Sequence, residues 1–191
     1  MMRVLVVCTA NVCRSPMGAA LLRHHCAELG IDVQVTSAGT QRHDLPVDPV
    51  AVAVMAEQGL DISAHHPRPL DKAVLDADGA DLVIVMTRDH LRTVATSAPG
   101  LFRRSFTAKE LAGRLTVLEG FDLDWLNEGR TSRDLMGDDP SDDIADPYGQ
   151  SLRLHRKCAT EIDGVMRLVA KKFAGYEPPS APTVVPFDPI S

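Results

Sequence analysis

The run Arg3-Val4-Leu5-Val6-Val7, and the residues that follow it, constrain this chain most. Four consecutive apolar residues, three of them β-branched, read as a central strand buried on both faces. A short turn comes next, and then Ser15-Pro16. Serine is a good N-cap and proline suits the first helical position, so this pair predicts a helix start. Strand, tight loop and helix in that order open an α/β fold with a parallel sheet.

The rest of the chain repeats the alternation. Val33 to Thr36 predicts a second strand. Asp48-Pro49 repeats the cap-then-proline signal, and Val50, Val54 and Met55 mark that helix before Gly59. Leu82 to Met86 is the third strand, and Arg103 to Thr107 a short fourth with a helix from Ala108 to Leu115. Ser151 to Phe173 reads as a long amphipathic helix, with Leu154, Cys158, Ile162, Val165 and Val169 on one stripe. Residues 119–145 hold Gly120, Gly129, Gly137, Pro140 and many aspartates, and predict a long acidic loop inserted before Asp146. Residues 1–175 therefore form one domain, and the Pro-rich stretch 176–191 is an unstructured tail. A chain of 191 residues is long enough for a single sizeable core.

Composition removes several function classes. The net charge of −6 and the scarcity of aromatics (one Trp, two Tyr, five Phe) give neither a basic patch nor a stacking platform, so no nucleic-acid partner is expected. No segment is long enough to span a membrane, and the apolar stretch ending at Cys8 lacks a small-residue cleavage site. Four cysteines without a dense framework fit a reducing cytoplasm.

The chemistry concentrates in Cys8-Thr9-Ala10-Asn11-Val12-Cys13-Arg14-Ser15. The carboxyl end of a central strand is where open α/β sheets bind ligands, and a helix N-terminus attracts anions. A loop here can point several backbone N–H groups inward as an anion nest, and Arg14 adds a planar fork for two phosphate oxygens. Cys8 then sits at the bottom of a positive cup. Cysteines in such settings have pKa values lowered to about 3.5–7.5, and a thiolate under a bound phosphate is a nucleophile aimed at phosphorus. Ser15 can donate its hydroxyl to that sulfur. Cys8 and Cys13 alone give no zinc site, because a second ligand pair of suitable spacing is missing, and no metal or other cofactor is expected.

The stretch Cys-x-x-Asn-x-Cys-Arg-Ser-Pro after a β-run resembles the low-molecular-weight protein tyrosine phosphatases. Thr36-Ser37-Ala38-Gly39-Thr40, His65-x-x-Arg68 and Asp146-Pro147-Tyr148 are similar to further segments of that family. The resemblance implies a flavodoxin-like three-layer sandwich with a four-stranded parallel sheet. It implies metal-free cysteinyl-phosphate chemistry on a phosphorylated protein, with Cys8 as nucleophile, Arg14 as phosphate clamp and Thr9 to Ser15 as the phosphate cradle. Asp146 is the implied general acid, then base. Asn11 would hold a strained backbone, and Asn11, Ser15, Ser37 and His65 would lock the loop.

Other readings stay open beside it. Phosphotyrosine is the expected substrate, and phosphoarginine the alternative; relatives acting on phosphoarginine carry threonine where this chain has Val12. Residues 41–44 lack the aromatic that many members set against the substrate ring. A non-catalytic phosphoprotein-binding module is the rival class. Asp138, Asp139, Asp142 and Asp143 would raise the pKa of Asp146 if they fold beside it. Cys13 reads either as a small buried residue or as a redox partner of Cys8. Cys26 and Cys158 are expected in the core, His24 and His25 on a helix surface. Trp125 is a loop anchor or a substrate contact.

Overall fold

The computed structural model describes residues 1–42, 44–131 and 140–174. His43, Asp138, Asp139 and the tail expected at 176–191 lie outside them. Four strands form one parallel sheet: β1 (Met2–Cys8), β2 (Val33–Gly39), β3 (Leu82–Val85) and β4 (Ser105–Thr107), in the order β2-β1-β3-β4. β1 pairs with β2 from Met2↔Val33 to Cys8↔Gly39, and with β3 from Val4↔Leu82 to Val7↔Val85. The strand order reverses between β1 and β3, so the ends of these strands open onto the crevice where such sheets bind ligands.

Alternation along β1 sorts its side chains onto two buried faces. Val4, Val6 and Cys8 join the larger core, together with Leu82, Ile84 and the helices α1 (Arg14–Glu28), α5 (Ala108–Thr116) and α7 (Leu152–Phe173). Leu5 and Val7 pack on the opposite face with Val83, Val85, Leu91 and Val94, the last two from α4 (Arg88–Ser97). This is the α/β arrangement with a parallel sheet that the pattern predicts, in the three layers that the resemblance implies. Every β1 residue from Val4 to Val7 is at most 1% exposed. Truncating Leu5 to alanine in so tight a layer costs about 2–5 kcal/mol.

Several local expectations need correction. Ser15 does not cap α1: the helix starts at Arg14, Cys13 is the N-cap, and no side chain accepts from its first turn. The Ser15 hydroxyl is used elsewhere, as described below. Asp48 does cap α2 (Pro49–Ala56), accepting from the amides of Val50 and Ala51. The fourth strand begins at Ser105, because Pro99–Arg104 forms a 3-10 turn. Helices α3 (Lys72–Asp78) and α4 have no counterpart in the sequence reading. The stretch 119–145 is not all loop. It contains α6 (Leu123–Leu126), with Trp125 packed on the core as an anchor, and a 3-10 turn at Pro140–Asp142.

Candidate active site

The loop from Cys8 to Ser15 leaves the end of β1 and turns back into α1. Asn11 makes the reversal with φ 59°, the only positive φ at a non-glycine among the described residues. That conformation is costly for most side chains, and asparagine is one of the few that visit it routinely. The surrounding bonds hold it there. Asn11 Nδ2 donates to Ser15 Oγ (2.8 Å) and Ser37 Oγ (2.9 Å), and Asn11 Oδ1 accepts from the Arg68 amide (3.0 Å). His65 Nε2 lies 2.9 Å from the Asn11 carbonyl and 3.1 Å from its Oδ1, both acceptors, so this nitrogen carries the hydrogen. Burial lowers the His65 pKa, which keeps the ring neutral in that role. The loop also runs against Gly39, where a Cβ would come within 2.7 Å of the Thr9 carbonyl oxygen. Only glycine allows this approach.

Cys8 Sγ lies 3.0 Å from Ser15 Oγ, and both residues are buried. Asn11 already donates to Ser15 Oγ, which turns the hydroxyl hydrogen toward an acceptor. The sulfur at 3.0 Å is nearer than the Ala38 carbonyl at 3.4 Å.

Arg14 is 3% exposed. Its Nη1 donates to the Ile144 carbonyl (3.1 Å), and its Nη2 to Thr9 Oγ1 (3.0 Å) and Asp146 Oδ2 (2.5 Å). Its Nε is buried without a hydrogen-bond partner among the described residues. A buried guanidinium with an open donor is suited to an oxyanion. Asp146 is half-exposed on its side chain, and its other oxygen accepts from the Tyr148 amide at 3.1 Å. Cys8, Thr9, Ala10, Val12, Cys13, Arg14, Leu45, Asp146 and Tyr148 line one cavity of about 120 Å³. The geometry thus brings Cys8, Arg14 and Asp146 into one pocket, with Asn11 and Ser15 buried behind its lining and Ser37 and His65 in contact with its loop.

Three features escape the sequence reading. His90, within α4, bridges Thr87 and Thr9: its Nδ1 is 2.9 Å from Thr87 Oγ1 and its Nε2 is 2.9 Å from Thr9 Oγ1, the atom that also accepts from Arg14. Burial holds the His90 pKa down to about 3. Leu45 and Tyr148 supply apolar walls at the pocket mouth, although residues 41–44 offer no aromatic. Lastly, Arg68 braces Asn11 through its backbone, and its guanidinium donates to the Ser37 carbonyl at 2.8 Å. Nothing local in sequence marks Leu45 or His90; Tyr148 and Arg68 sit inside quoted motifs.

Two expectations change here. Asp142 is not a free charge beside Asp146, because the Arg88 guanidinium pairs with it, whereas Asp143, whose Oδ1 accepts the Arg88 amide, shares a recess with Asp146. His25 is buried rather than on the surface, and its Nε2 meets Asp163 of α7 at 2.7 Å. Cys26 and Cys158 lie in the core as expected, their thiols pushed up by burial to about 11 and about 12. All four cysteines are free thiols.

A strand-end cysteine, a buried arginine and a carboxylate that line one cavity, with an uncapped helix N-terminus behind, suit a phosphate-handling protein of the phosphatase class. Comparisons with known proteins give the family. Residues 3–118 match the model of the low molecular weight phosphotyrosine protein phosphatases, and the chain belongs to that family. It is 38% identical over 122 residues (63% of this chain, 75% of the relative) to a probable low molecular weight protein-tyrosine-phosphatase, EpsP, of Ralstonia solanacearum. The solved low molecular weight protein tyrosine phosphatase of T. tengcongensis superposes with TM-score 0.70 at 33% identity, covering 90% of this chain and 99% of that one. A mutant of the YwlE arginine phosphatase with a phosphorylated active-site serine superposes with TM-score 0.71 at 27% identity, covering 91% and 96%. The fold is the flavodoxin-like α/β fold of these proteins, and the chain is a phosphatase.

Proposed function

We propose that the protein hydrolyses phosphotyrosine on protein substrates through a cysteinyl-phosphate intermediate. Cys8 Sγ attacks phosphorus and forms the S–P bond as the ester P–O bond breaks. Arg14 and the loop amides hold the equatorial oxygens, over which the charge of the transferring phosphoryl group spreads. Protonated Asp146 gives its proton to the departing phenolic oxygen. The carboxylate then takes a proton from water as that water breaks the S–P bond, and the Ser15 hydroxyl stabilises the leaving sulfur. His90 and Thr87 brace Thr9, which in turn steadies Arg14.

The single observation that carries this reading is the shared pocket of Cys8, Arg14 and Asp146. Val12, Leu45 and Tyr148 in its lining favour an aromatic leaving group, because apolar walls suit a flat ring. No helix among the described residues is long and apolar enough to cross a membrane. Four free thiols favour a cytoplasmic site of action.

Phosphoarginine is the second reading. A relative of nearly full-length match is an arginine phosphatase, and a recess of about 420 Å³ beside Arg14 carries Asp89 and Asp143, which suit a guanidinium. A panel of phosphotyrosine, phosphoarginine and phosphoserine peptides separates the two. The proposal expects the highest kcat/KM on phosphotyrosine and none with Cys8→Ser. Preference for phosphoarginine would replace the first reading with the second, and activity retained by Cys8→Ser would overturn both.

A further inference from the structure

Directly behind the phosphate loop, three side chains from three elements converge. Cys13 is the N-cap of α1, Asp48 is the N-cap of α2, and His155 lies in the first turn of α7. One ligand atom from each lies within 4.8 Å of the other two, and the residues are 2%, 8% and 0% exposed.

The hydrogen-bond pattern sets what these atoms present. His155 Nδ1 lies 3.2 Å from the Ser151 carbonyl oxygen, so Nδ1 carries the ring hydrogen and Nε2 presents its lone pair. That Nε2 is buried, has no hydrogen-bond partner among the described residues, and sits 3.4 Å from Asp48 Oδ1. Asp48 Oδ1 is itself an acceptor, taking the amides of Val50 (2.8 Å) and Ala51 (2.9 Å). An imidazole lone pair therefore faces a carboxylate oxygen and a thiol sulfur, away from water. The imidazole lone pair and the carboxylate oxygen, two acceptors 3.4 Å apart, cost free energy unless something positive lies between them.

We infer that Cys13, Asp48 and His155 form a binding site for a thiophilic divalent metal ion of the zinc class. Sulfur, imidazole nitrogen and one carboxylate oxygen make a borderline-soft donor set that suits zinc and disfavours magnesium and calcium. The outer bonds are those of a metal centre. A metal-binding histidine usually donates its other ring hydrogen to a carbonyl or carboxylate, as His155 does to Ser151. Two amides fix the Asp48 carboxylate in the same way. Bond lengths of about 2.0–2.3 Å need only a side-chain contraction from the observed spread.

Burial and the nearby charge of Asp48 push the Cys13 thiol up, so it is protonated before the ion arrives. On binding, the sulfur–metal bond replaces the S–H bond and the proton leaves to solvent. The bound ion ties the loop to α2 and α7. The Asp48 amide already donates to the Val12 carbonyl at 2.9 Å, so the tie reaches the cradle directly. The ion is a regulator or staple of the loop and takes no part in phosphoryl transfer.

Cobalt(II) titration of the purified protein tests this, because a thiolate–cobalt centre gives a charge-transfer band and tetrahedral visible bands that zinc(II) abolishes on displacement. We expect one cobalt per chain and an increase in Tm with zinc(II). The band should persist in Cys8→Ser, vanish in Cys13→Ser, and need roughly tenfold or more cobalt in His155→Gln. Circular dichroism checks that each variant folds, and Asp48→Asn is the second ligand-loss variant should Cys13→Ser fail to fold. No band in the wild type would overturn the inference. So would a band lost in Cys8→Ser but kept in Cys13→Ser, or one indifferent to His155→Gln; a proton would then be the occupant.

Discussion

Arg14 Nη2 and Asp146 Oδ2 meet at 2.5 Å across 132 residues of chain, joining the loop after β1 to the segment before α7. The contact puts the guanidinium and the carboxylate in the lining of one cavity. It also means that an incoming phosphate dianion competes with the Asp146 carboxylate for the same guanidinium. A dianion bound at Arg14 would take that donor from the Asp146 carboxylate, the group proposed above to serve the leaving oxygen.

Asp146→Asn is therefore expected to slow turnover by about 10²- to 10⁴-fold, with the largest loss on esters whose leaving groups are poor. The measurement is kcat across a series of aryl phosphates of graded leaving-group pKa. A steeper dependence than in the wild type supports the acid role, and an equal loss across the series contradicts it.

Asn11 carries the loop's strain and four of its braces. Asn11→Ala removes both the tolerated φ of 59° and the bonds to Ser15, Ser37, His65 and Arg68, and should lower stability by about 2–4 kcal/mol. Asn11→Gly restores the backbone freedom but not the bonds. Denaturant unfolding should place it between the wild type and Asn11→Ala, with kcat still depressed. Identical stability for both variants would show that strain contributes nothing.

His90 makes stability depend on pH. Its folded pKa of about 3 lies below the ordinary 6.5, so the unfolded chain takes up a proton that the folded chain refuses. The contribution is fully present above pH 6.5 and is lost as pH falls toward 3. His65 is shifted in the same direction. His90→Gln should flatten part of this acid-side slope, measured as unfolding midpoint against pH. An unchanged slope would mean that other groups control it.

Tyr148 and Leu45 test the apolar rim. Tyr148→Ala should raise KM for a phosphotyrosine peptide roughly three- to tenfold, as loss of one aromatic contact implies. It should leave the kcat/KM for a small non-aromatic phosphoester nearly unchanged. Equal effects on both substrates would detach the rim from ring recognition.

The site was more legible in the sequence than the fold's periphery. Cys8, Asn11, Arg14 and Ser15 fall within eight residues between a strong strand and a proline-marked helix, so local pattern and chemistry agree there. Ser15 shows the limit of that logic. Its pairing with Pro16 reads as a helix cap, yet its hydroxyl meets Cys8 Sγ and no side chain caps α1. Helix α4 carries little signal in the sequence, because its buried face is only His90, Leu91, Val94 and Ala95 amid charged and β-branched residues. His25 read as a surface residue because its partner, Asp163, lies 138 residues away on α7. Leu45 reaches the pocket through tertiary approach alone, which no spacing reports.

The most direct test of the account is to trap the covalent intermediate. An Asp146→Ala enzyme mixed with radiolabelled phosphotyrosine peptide and quenched in acid within milliseconds should carry one phosphoryl group, and peptide mass mapping should locate it on Cys8. Label on any other residue, or product release with no labelled enzyme at any time point, would contradict it.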